Sequence, residues 1–454
     1  MLKIEFIKKN IEAVKKNIVQ RRFDPKKADV DKLLELDTQK NKLQLEVDNL
    51  RQERNENTEV IKKSKTKPTP DLIERGKDLK NRIAKLEIDL DALKKDWEAI
   101  MFWIPNMASD DSPVGGGPDD NIETKAWSKQ TGMLKQDQLS KAEGSAKNLY
   151  QFGSNADKEF APLPHWEIGK KLDLLDLEAG AKVSGSRFYY LKKEGFMMMY
   201  GIFDLLMKKL LADNFIPMYV PVLVRDRALF GSSQFPADRD QTYQIETENI
   251  EDENTLYLVG SSEPSLFSYF TDTQLNEKDL PIKIFAQTPC FRSEAGSWGK
   301  DVRGIKRMHQ FEKLEMDMVI KADIVEAIKT HEYLLSINEW LLQILELPYH
   351  VINMCTGDLG YAAAYKKYDV EVFLPSSKSF MEVMSDSITT DFQSRRLNIR
   401  YVSNTGEKNY VFTLNDTGAT HRLLIAILDH YQQSDGSVKV PAVLKPYINK
   451  DFIK

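Results

Sequence analysis

The sequence predicts an α+β protein, an antiparallel sheet flanked by helices, with an N-terminal antiparallel two-helix coiled-coil arm. Three observations carry this. Apolar residues recur at alternating three- and four-residue steps over two stretches within residues 1–104. A proline-bearing break separates the two stretches. Beyond residue 127, strand-like runs follow one another without the regular alternation with helices that a doubly wound parallel sheet demands.

The arm comes first along the chain. From Leu36 the steps pass Leu36, Lys40, Leu43, Val47, Leu50, Arg54, Asn57 and Ile61, five of them apolar. From Leu72 they pass Leu72, Gly76, Leu79, Ile83, Leu86, Leu90, Leu93, Trp97, Ile100 and Ile104, nine of ten apolar, so the second seam is the stronger. A repeat of 3.5 residues is the coiled-coil period. Between the seams stands KPTPD, residues 67–71, where Pro68 and Pro70 deny the helix its continuation and the chain must turn. About thirty residues per strand of the arm, at about 1.5 Å each, make a rod on the order of 45 Å long. Its tip carries KKSKTK, residues 62–67, which is either a solvated charged face or a contact for a phosphate backbone.

A polar stretch follows at 105–126. It contains SPVGGGPDDN at 112–121 and is expected to be a linker between the arm domain, 1–104, and a globular domain, 127–454. Within the globular part, helices are expected over 194–213 and 322–345. Strands are expected over 218–224, 255–259, 282–286, 313–320, 370–374 and 409–414. Met197, Met198 and Met199 fit a core helix better than a metal site, and Trp97 fits seam packing.

Composition closes off several functions. The 454 residues carry 64 Lys+Arg against 69 Asp+Glu, a net charge of −5, which excludes a chain that coats nucleic acid through overall positive charge. Two cysteines, Cys290 and Cys355, cannot form a four-ligand zinc site and read as buried free thiols. The six histidines show no metal-ligand spacing, and no GxxxxGK[ST], GxGxxG or HExxH motif is present. No apolar run is long enough to span a bilayer, and the N-terminus lacks the apolar core of a secretory signal, so a cytoplasmic protein without a membrane partner is expected.

The densest polar segment is FRSEAGSWGKDVRGIKRMHQFEKLEM, residues 291–316. On strands, residues two apart share a face, so Arg292 pairs with Glu294, and Phe311 with Lys313 and Glu315. Two facing strands would then offer an arginine, carboxylates and an aromatic ring to one pocket. An arginine can clamp phosphate with two parallel hydrogen bonds, and a ring can stack on a base. A surface hairpin laced with ion pairs is the alternative. His309 and His421 lie close to this segment or to the expected site.

This segment closely resembles motif 2 of the seryl-tRNA synthetases, a class II aminoacyl-tRNA synthetase family. The opening MLKIEFIKKNIEAVKKNI, the helical arm, PHWEIGKKLDLLDLEAGAKVSGSRFYYLK, INMCTGDLGYAAAYKKYDVEVFLP, DFQSRR and DGSVKVPAVLKPYI resemble the same family, in the family's order and over essentially the whole chain. The resemblance implies a class II catalytic sheet, a helical arm that grips the long variable arm of tRNA(Ser), and a homodimer built on NFIPMYVPVLV as motif 1. It implies a ligase that forms seryl-adenylate from L-serine and ATP with Mg²⁺. Serine then passes to the 3′-terminal adenosine of tRNA(Ser), with tRNA(Sec) a second acceptor that the resemblance leaves open.

Site residues follow position by position from the same resemblance. Arg292 would bind the ATP α-phosphate, with Arg292, Glu294 and Arg422 as the catalytic set. Ser293, Glu294 and Phe311 would complete the adenine side, and Glu382, Val383, Met384 and Ser385 the nucleotide wall, with Glu382 holding Mg²⁺. Arg422, the motif 3 arginine, would reach the γ-phosphate. Ser261, Ser262, Glu263, Arg292, Glu315, Asn415 and Thr417 would bind serine. Lys62, Lys63, Lys65 and Lys67 would contact tRNA. Three departures stand out. Ser261-Ser262-Glu263 replaces the family's usual Thr-Ala-Glu. Met384 and Ile388 replace small or polar residues. NDTGATHR, residues 415–422, is one residue shorter than motif 3 in common members.

Overall fold

The structure is a computed structural model and describes residues 1–63, 67–142, 160–246, 255–296 and 303–454. It forms two compact units, residues 2–105 and residues 106–454 together with Met1.

In the first unit, two short helices, α1 (Ile4–Lys9) and α2 (Ile11–Gln20), precede α3 (Val30–Lys63) and α4 (Pro70–Met101). The last two are the paired helices that the seams predict. Proline stands at the N-terminal turn of α4, where its missing N–H has no intrahelical partner to lose. Leu50, Leu79 and Ile83 form a buried cluster with Leu86 against it. Two of the three polar residues in the weaker seam, Asn57 and Lys40, meet a fitting partner on the other helix. Asn57 is buried opposite Gly76, donates to the Leu72 carbonyl at 3.0 Å, and would lie 3.2 Å from any β-carbon added at Gly76. Lys40 lies 4.0 Å from the centre of the Trp97 ring and 3.0 Å from Asp37. Lys62, Lys63 and Lys67 are exposed near the tip, and Lys62 pairs with Glu59 at 3.2 Å. Lys65 lies outside the described residues.

The second unit is built on nine strands: β1 (Ile122–Ser128), β2 (Gly132–Lys135), β3 (Ile216–Pro217), β4 (Ile282–Phe291), β5 (Gln310–Ile320), β6 (Tyr349–Asn353), β7 (Lys366–Leu374), β8 (Ser379–Thr390) and β9 (Phe412–Thr420). Their order across the sheet is β2-β1-β6-β7-β8-β9-β5-β4-β3. Every pairing is antiparallel except β4 with the two-residue β3. One face is covered by α5 (Lys193–Ala212), α7 (Ile324–Ile344) and α9 (Arg422–His430), with Ile202, Leu206, Leu334, Leu341 and Leu424 in the core between helices and sheet. Burying each such side chain is worth roughly 1.5–3 kcal/mol. Asp323 starts α7 by accepting from the N–H groups of Val325 and Glu326. Two further helices, α6 (Glu263–Ser268) and α8 (Phe392–Leu397), lie beyond the other face.

Three expectations change. The stretch taken for a linker is tied into this unit from Asn106 onward: the Asn106 N–H donates to Ala362, its side-chain amide donates to Ala363 and Thr389, and β1 already begins at Ile122. Glycine and proline there shape a bound loop instead of a tether. Of the strand expected at 218–224 only its last two residues are strand, in Leu223–Arg225, while β3 ends just before it at Pro217; Pro217 and Pro221 lack the N–H that a continuous ladder needs. Strands β1, β2, β6 and β8 were not foreseen. Cys290 and Cys355 are buried free thiols, as expected.

Leu79→Ala should remove about 2–5 kcal/mol from the arm's packing. Hydrogen exchange should quicken at amides of α3 and α4 near that position and stay unchanged in β5 and β9. Equal quickening in both units would contradict their separate cooperativity.

Candidate active site

The cleft lies on the sheet face opposite α7. Alternation along β5 turns Phe311, Lys313, Glu315 and Asp317 to this face. The neighbouring strand β9 pairs Glu315 with Thr417 and Asp317 with Asn415, after a bulge at Leu314/Glu315. Strand β8 adds Glu382, Ser385 and Ser387. The cavity measures about 610 Å³ and is walled also by Gln234, Asp238, Gly260, Ser261, Glu263 and Tyr361. A smaller branch of about 80 Å³ runs past Phe311 and Val383 to Arg422.

One end of the cleft is acidic and dry. Lys313, Glu315 and Glu263 are 7 %, 2 % and 6 % exposed, and Asp317 is fully buried. Lys313 pairs with Glu315 at 2.5 Å and donates to the Ser261 hydroxyl at 3.1 Å. Glu263 accepts from the side-chain amides of Gln393 at 2.6 Å and Asn415 at 3.0 Å. Asn415 also donates to the Tyr361 hydroxyl. Burial, then the charge of Glu315, pushes the Glu263 carboxyl up to about 8. Burial and the same glutamate push Asp317 well above the usual carboxylate range. Neither Asp317 oxygen has a hydrogen-bond partner among the described residues. The floor therefore holds three carboxyl groups against one lysine, a charge arrangement that favours a further cation.

The other end is basic. Arg292 stands just past the end of β4, donates to the Gly260 carbonyl at 3.3 Å, and lies 5.4 Å from the centre of the Phe311 ring. Arg422, at the start of α9, donates to the Glu382 main-chain oxygen at 2.9 Å and to its carboxylate at 3.1 Å. Burial works to raise the Glu382 carboxyl, but Arg422 and Lys367 pull it down to about 2. Glu294 sits 3.6 Å from Arg307 and 3.8 Å from Arg187.

Two histidines fix the chain returning toward β5. His165 accepts from the Ile305 N–H at 2.9 Å, and His421 donates to the Ile305 carbonyl at 2.6 Å. Gly304, with φ of +79°, makes room for this: a β-carbon there would fall 2.1 Å from His165 Nε2. Burial lowers His165 to about 4 and His421 to about 3. Burial keeps both neutral at ordinary pH, and the hydrogen bond that His165 accepts requires its neutral form.

The structure brings together Arg292, Glu294, Phe311, Glu382, Val383, Ser385 and Arg422 around one cleft, with Ser261, Glu263, Glu315, Asn415 and Thr417. Four details differ from the sequence reading. Arg292 and Glu294 do not share a strand face. The strand ends at Phe291, Glu294 has φ of +53°, and the turn aims both side chains at the cleft. Ser293 turns its hydroxyl to the Asp240 carbonyl. Ser262 is buried at the start of α6 and does not line the cavity, so its side chain is unsuited to hold serine. Met384 is fully buried in the core because a bulge at Val383 turns it inward, leaving its main chain alone for a nucleotide. Ile388 is buried in the same core. The substitutions at 384 and 388 thus sit in the packing and do not face the cleft. Sequence reasoning missed the roles of Lys313, Asp317, Tyr361, Ser387 and Gln393. Tyr361 and Gln393 lie inside two of the resembling segments, but nothing in local spacing shows that a loop lines the pocket with Tyr361 and a short helix backs Glu263 with Gln393.

The family described as tRNA synthetase class II core domain (G, H, P, S and T) matches residues 243–431, and that described as Seryl-tRNA synthetase N-terminal domain matches residues 1–108. The chain is 38% identical over 456 residues to the serine–tRNA ligase of Dictyoglomus turgidum, covering 100% of this chain and 99% of the relative. It is similar to the crystal structure of seryl-tRNA synthetase from Pyrococcus horikoshii complexed with ATP, with a TM-score of 0.83 and 35% identity over 100% and 99% of the two chains. It is also similar to the cytoplasmic serine–tRNA ligase of Naegleria fowleri in complex with AMP, with a TM-score of 0.78 and 26% identity over 98% and 96%.

The neutral histidines give a pH test. An unfolded histidine takes up its proton near pH 6.5, whereas folded His165 resists to about 4. Its contribution is fully present above pH 6.5 and is lost as pH falls toward 4. His165→Gln, which can still accept from Ile305, should make stability less steep in that window by up to about 1.4 kcal/mol per pH unit in chemical denaturation. An unchanged slope would show that the histidine is not buried in its neutral form.

Proposed function

Because the chain belongs to the seryl-tRNA synthetase family of class II aminoacyl-tRNA synthetases, we propose that the acidic end of the cleft holds the serine and the basic end the ATP. The family's reaction is the ATP-driven ligation of serine to tRNA, a step of protein biosynthesis. The observation that carries the assignment of ends is the buried excess of carboxyl groups over Lys313, which an amino acid's ammonium would offset.

In this reading Glu263 takes the ammonium, while Glu315 and Thr417 receive the side-chain hydroxyl, with Asn415 holding Glu263 in place. The serine carboxylate is left facing Arg292 and the α-phosphate. One carboxylate oxygen attacks that phosphorus, the bond to the pyrophosphate oxygen breaks, and pyrophosphate leaves. Arg292 steadies the negative charge that grows at the phosphorus, and Arg422 the charge on the leaving group. Phe311 gives the adenine a stacking surface beside Glu294. The protein forms no covalent bond; it aligns two anions that would otherwise repel. Alanine is rejected because it leaves buried hydroxyl partners unpaired, a loss that can reach about 10⁴-fold.

Mg²⁺ fits the wall at Glu382. That carboxylate is held ionised, its side chain is 42 % exposed, and Ser385 lies on the same cleft wall, a sparse oxygen set of the kind that leaves room for phosphate oxygens and water. When bound, the ion would neutralise phosphate charge. The arm-bearing unit would bind tRNA(Ser), with Lys62, Lys63 and Lys67 set near its tip and Lys65 outside the described residues. Ile216, Tyr219 and Leu223 expose large apolar surface next to one another in sequence, as a second copy of the chain would cover in a homodimer. No helix among the described residues is long and apolar enough to cross a membrane, and the proposed site of action is the cytoplasm.

Glu263→Gln should raise the serine KM by about 100-fold or more and change the ATP KM little, since it removes one charge from a buried ion pair. Unchanged serine KM would reverse the assignment of ends. Since Glu263 ionises at about 8, serine binding at pH 7 should release close to one proton, visible as buffer-dependent heat in calorimetry. Its affinity should rise as pH climbs toward 8, and heat independent of the buffer would contradict this. Tyr219→Arg should convert the dimer to monomer in sedimentation; an unaltered dimer would place the interface elsewhere.

A further inference from the structure

We propose that Gln393 is a positioning residue for serine recognition: its side-chain amide orients the Glu263 carboxylate and favours its charged form. This rests on the reading that Glu263 receives the serine ammonium.

Gln393 lies on α8 and is completely buried. Its amide uses both N–H groups and its oxygen in hydrogen bonds. The nitrogen donates to Glu263 Oε1 at 2.6 Å and to the Ser232 carbonyl at 3.1 Å. The oxygen lies 2.8 Å from the Thr413 hydroxyl and 3.2 Å from that of Thr389, either of which can donate to it. The assignment of nitrogen and oxygen follows from the chemistry of the partners. The Ser232 carbonyl can only accept, so the nitrogen must face it, and the second N–H then has to point at Glu263. A flipped amide would set its oxygen against a carbonyl and a carboxylate in the dry interior.

The consequence reaches the substrate. Gln393 and Asn415 both donate to Oε1 of Glu263, which leaves Oε2 as the oxygen that can turn to an ammonium. An N–H donated to a carboxylate favours its ionised form. Against this work burial and the Glu315 charge, which raise the Glu263 carboxyl, while Lys313 lowers it. The other ionisable groups near it are Asp317 on β5 and Tyr361, whose own shifts each include the charge of Glu263. Gln393, with the shorter of the two amide hydrogen bonds to Glu263, is therefore a neutral group that tips a crowded acid cluster toward accepting a cation. Through Ser232 it also ties Glu263 to the segment that carries Gln234 into the cleft wall.

Gln393→Met keeps the length and removes both donors. Gln393→Glu keeps the shape and sets a second carboxyl beside the first. Serine affinity and serine and ATP KM values would be measured between about pH 6 and about pH 9 on the full chain, with thermal unfolding as the folding control. Both variants should weaken serine by about tenfold or more at pH 7 and move the acid limb of the affinity profile up by about one pH unit. The ATP KM should stay within about twofold, the mark of a role confined to serine. A profile that coincides with that of the parent, or serine and ATP KM values that rise together, would overturn the proposal; if Gln393→Met does not fold, Gln393→Glu is read by the same criteria. Glu263→Gln separates the two readings. Parent-like serine affinity in that variant would remove the ammonium site itself. Loss of affinity there, with a parent-like Gln393→Met, would remove Gln393 alone.

Discussion

The Lys313–Glu315 ion pair is the interaction on which the site depends. Both side chains point from one strand into a region that excludes water, where an isolated charge is too costly to keep. The lysine settles one carboxylate and reaches Ser261, but Glu263 and Asp317 remain beside it. Burial answers with protons: both acids hold them more tightly than usual. In the proposed reading a ligand that brings its own positive charge replaces a proton at Glu263, so the electrostatic strain of the buried acids becomes affinity for an amino acid.

The sheet makes this arrangement possible. Antiparallel neighbours with a bulge at Leu314/Glu315 place Glu315 beside Thr417 and Asp317 beside Asn415, and α6 delivers Glu263 from outside the sheet. Toward the other end the charge changes sign, through Arg292 and Arg422. In the proposed reading a small amino acid and a triphosphate are thereby sorted along one cleft before any bond is made, and the donors are already in place when charge develops.

Much of this was legible in the chain. The seams specified the arm down to their exceptions, since Lys40 packs on Trp97 and Asn57 fits beside Gly76. The alternation of Phe311, Lys313 and Glu315 specified the floor. What stayed hidden has physical reasons. Strand β8 reads SFMEVMSDSITT and shows no clean apolar face, because one of its faces lines a polar cleft and the other buries Asp386 as well as Ile388. Glu294 faces the cleft through a left-handed turn, which strand periodicity cannot foresee. Tyr361 reaches the pocket from a loop, and Gln393 reaches Glu263 from a helix more than thirty residues further along; only the folded topology joins them. Met384 and Ile388, departures from the family's pattern, turned out to be packing choices on the core side of β8.

The most direct test of this account is serine-dependent exchange of labelled pyrophosphate into ATP, run on the parent chain and on Arg292→Ala. The account predicts exchange with serine, none above background with alanine, and a loss of about 10³-fold or more when the arginine is removed. Alanine-supported exchange equal to that with serine, or exchange undiminished in Arg292→Ala, would contradict the pairing of a buried acidic pocket with a phosphate-binding arginine.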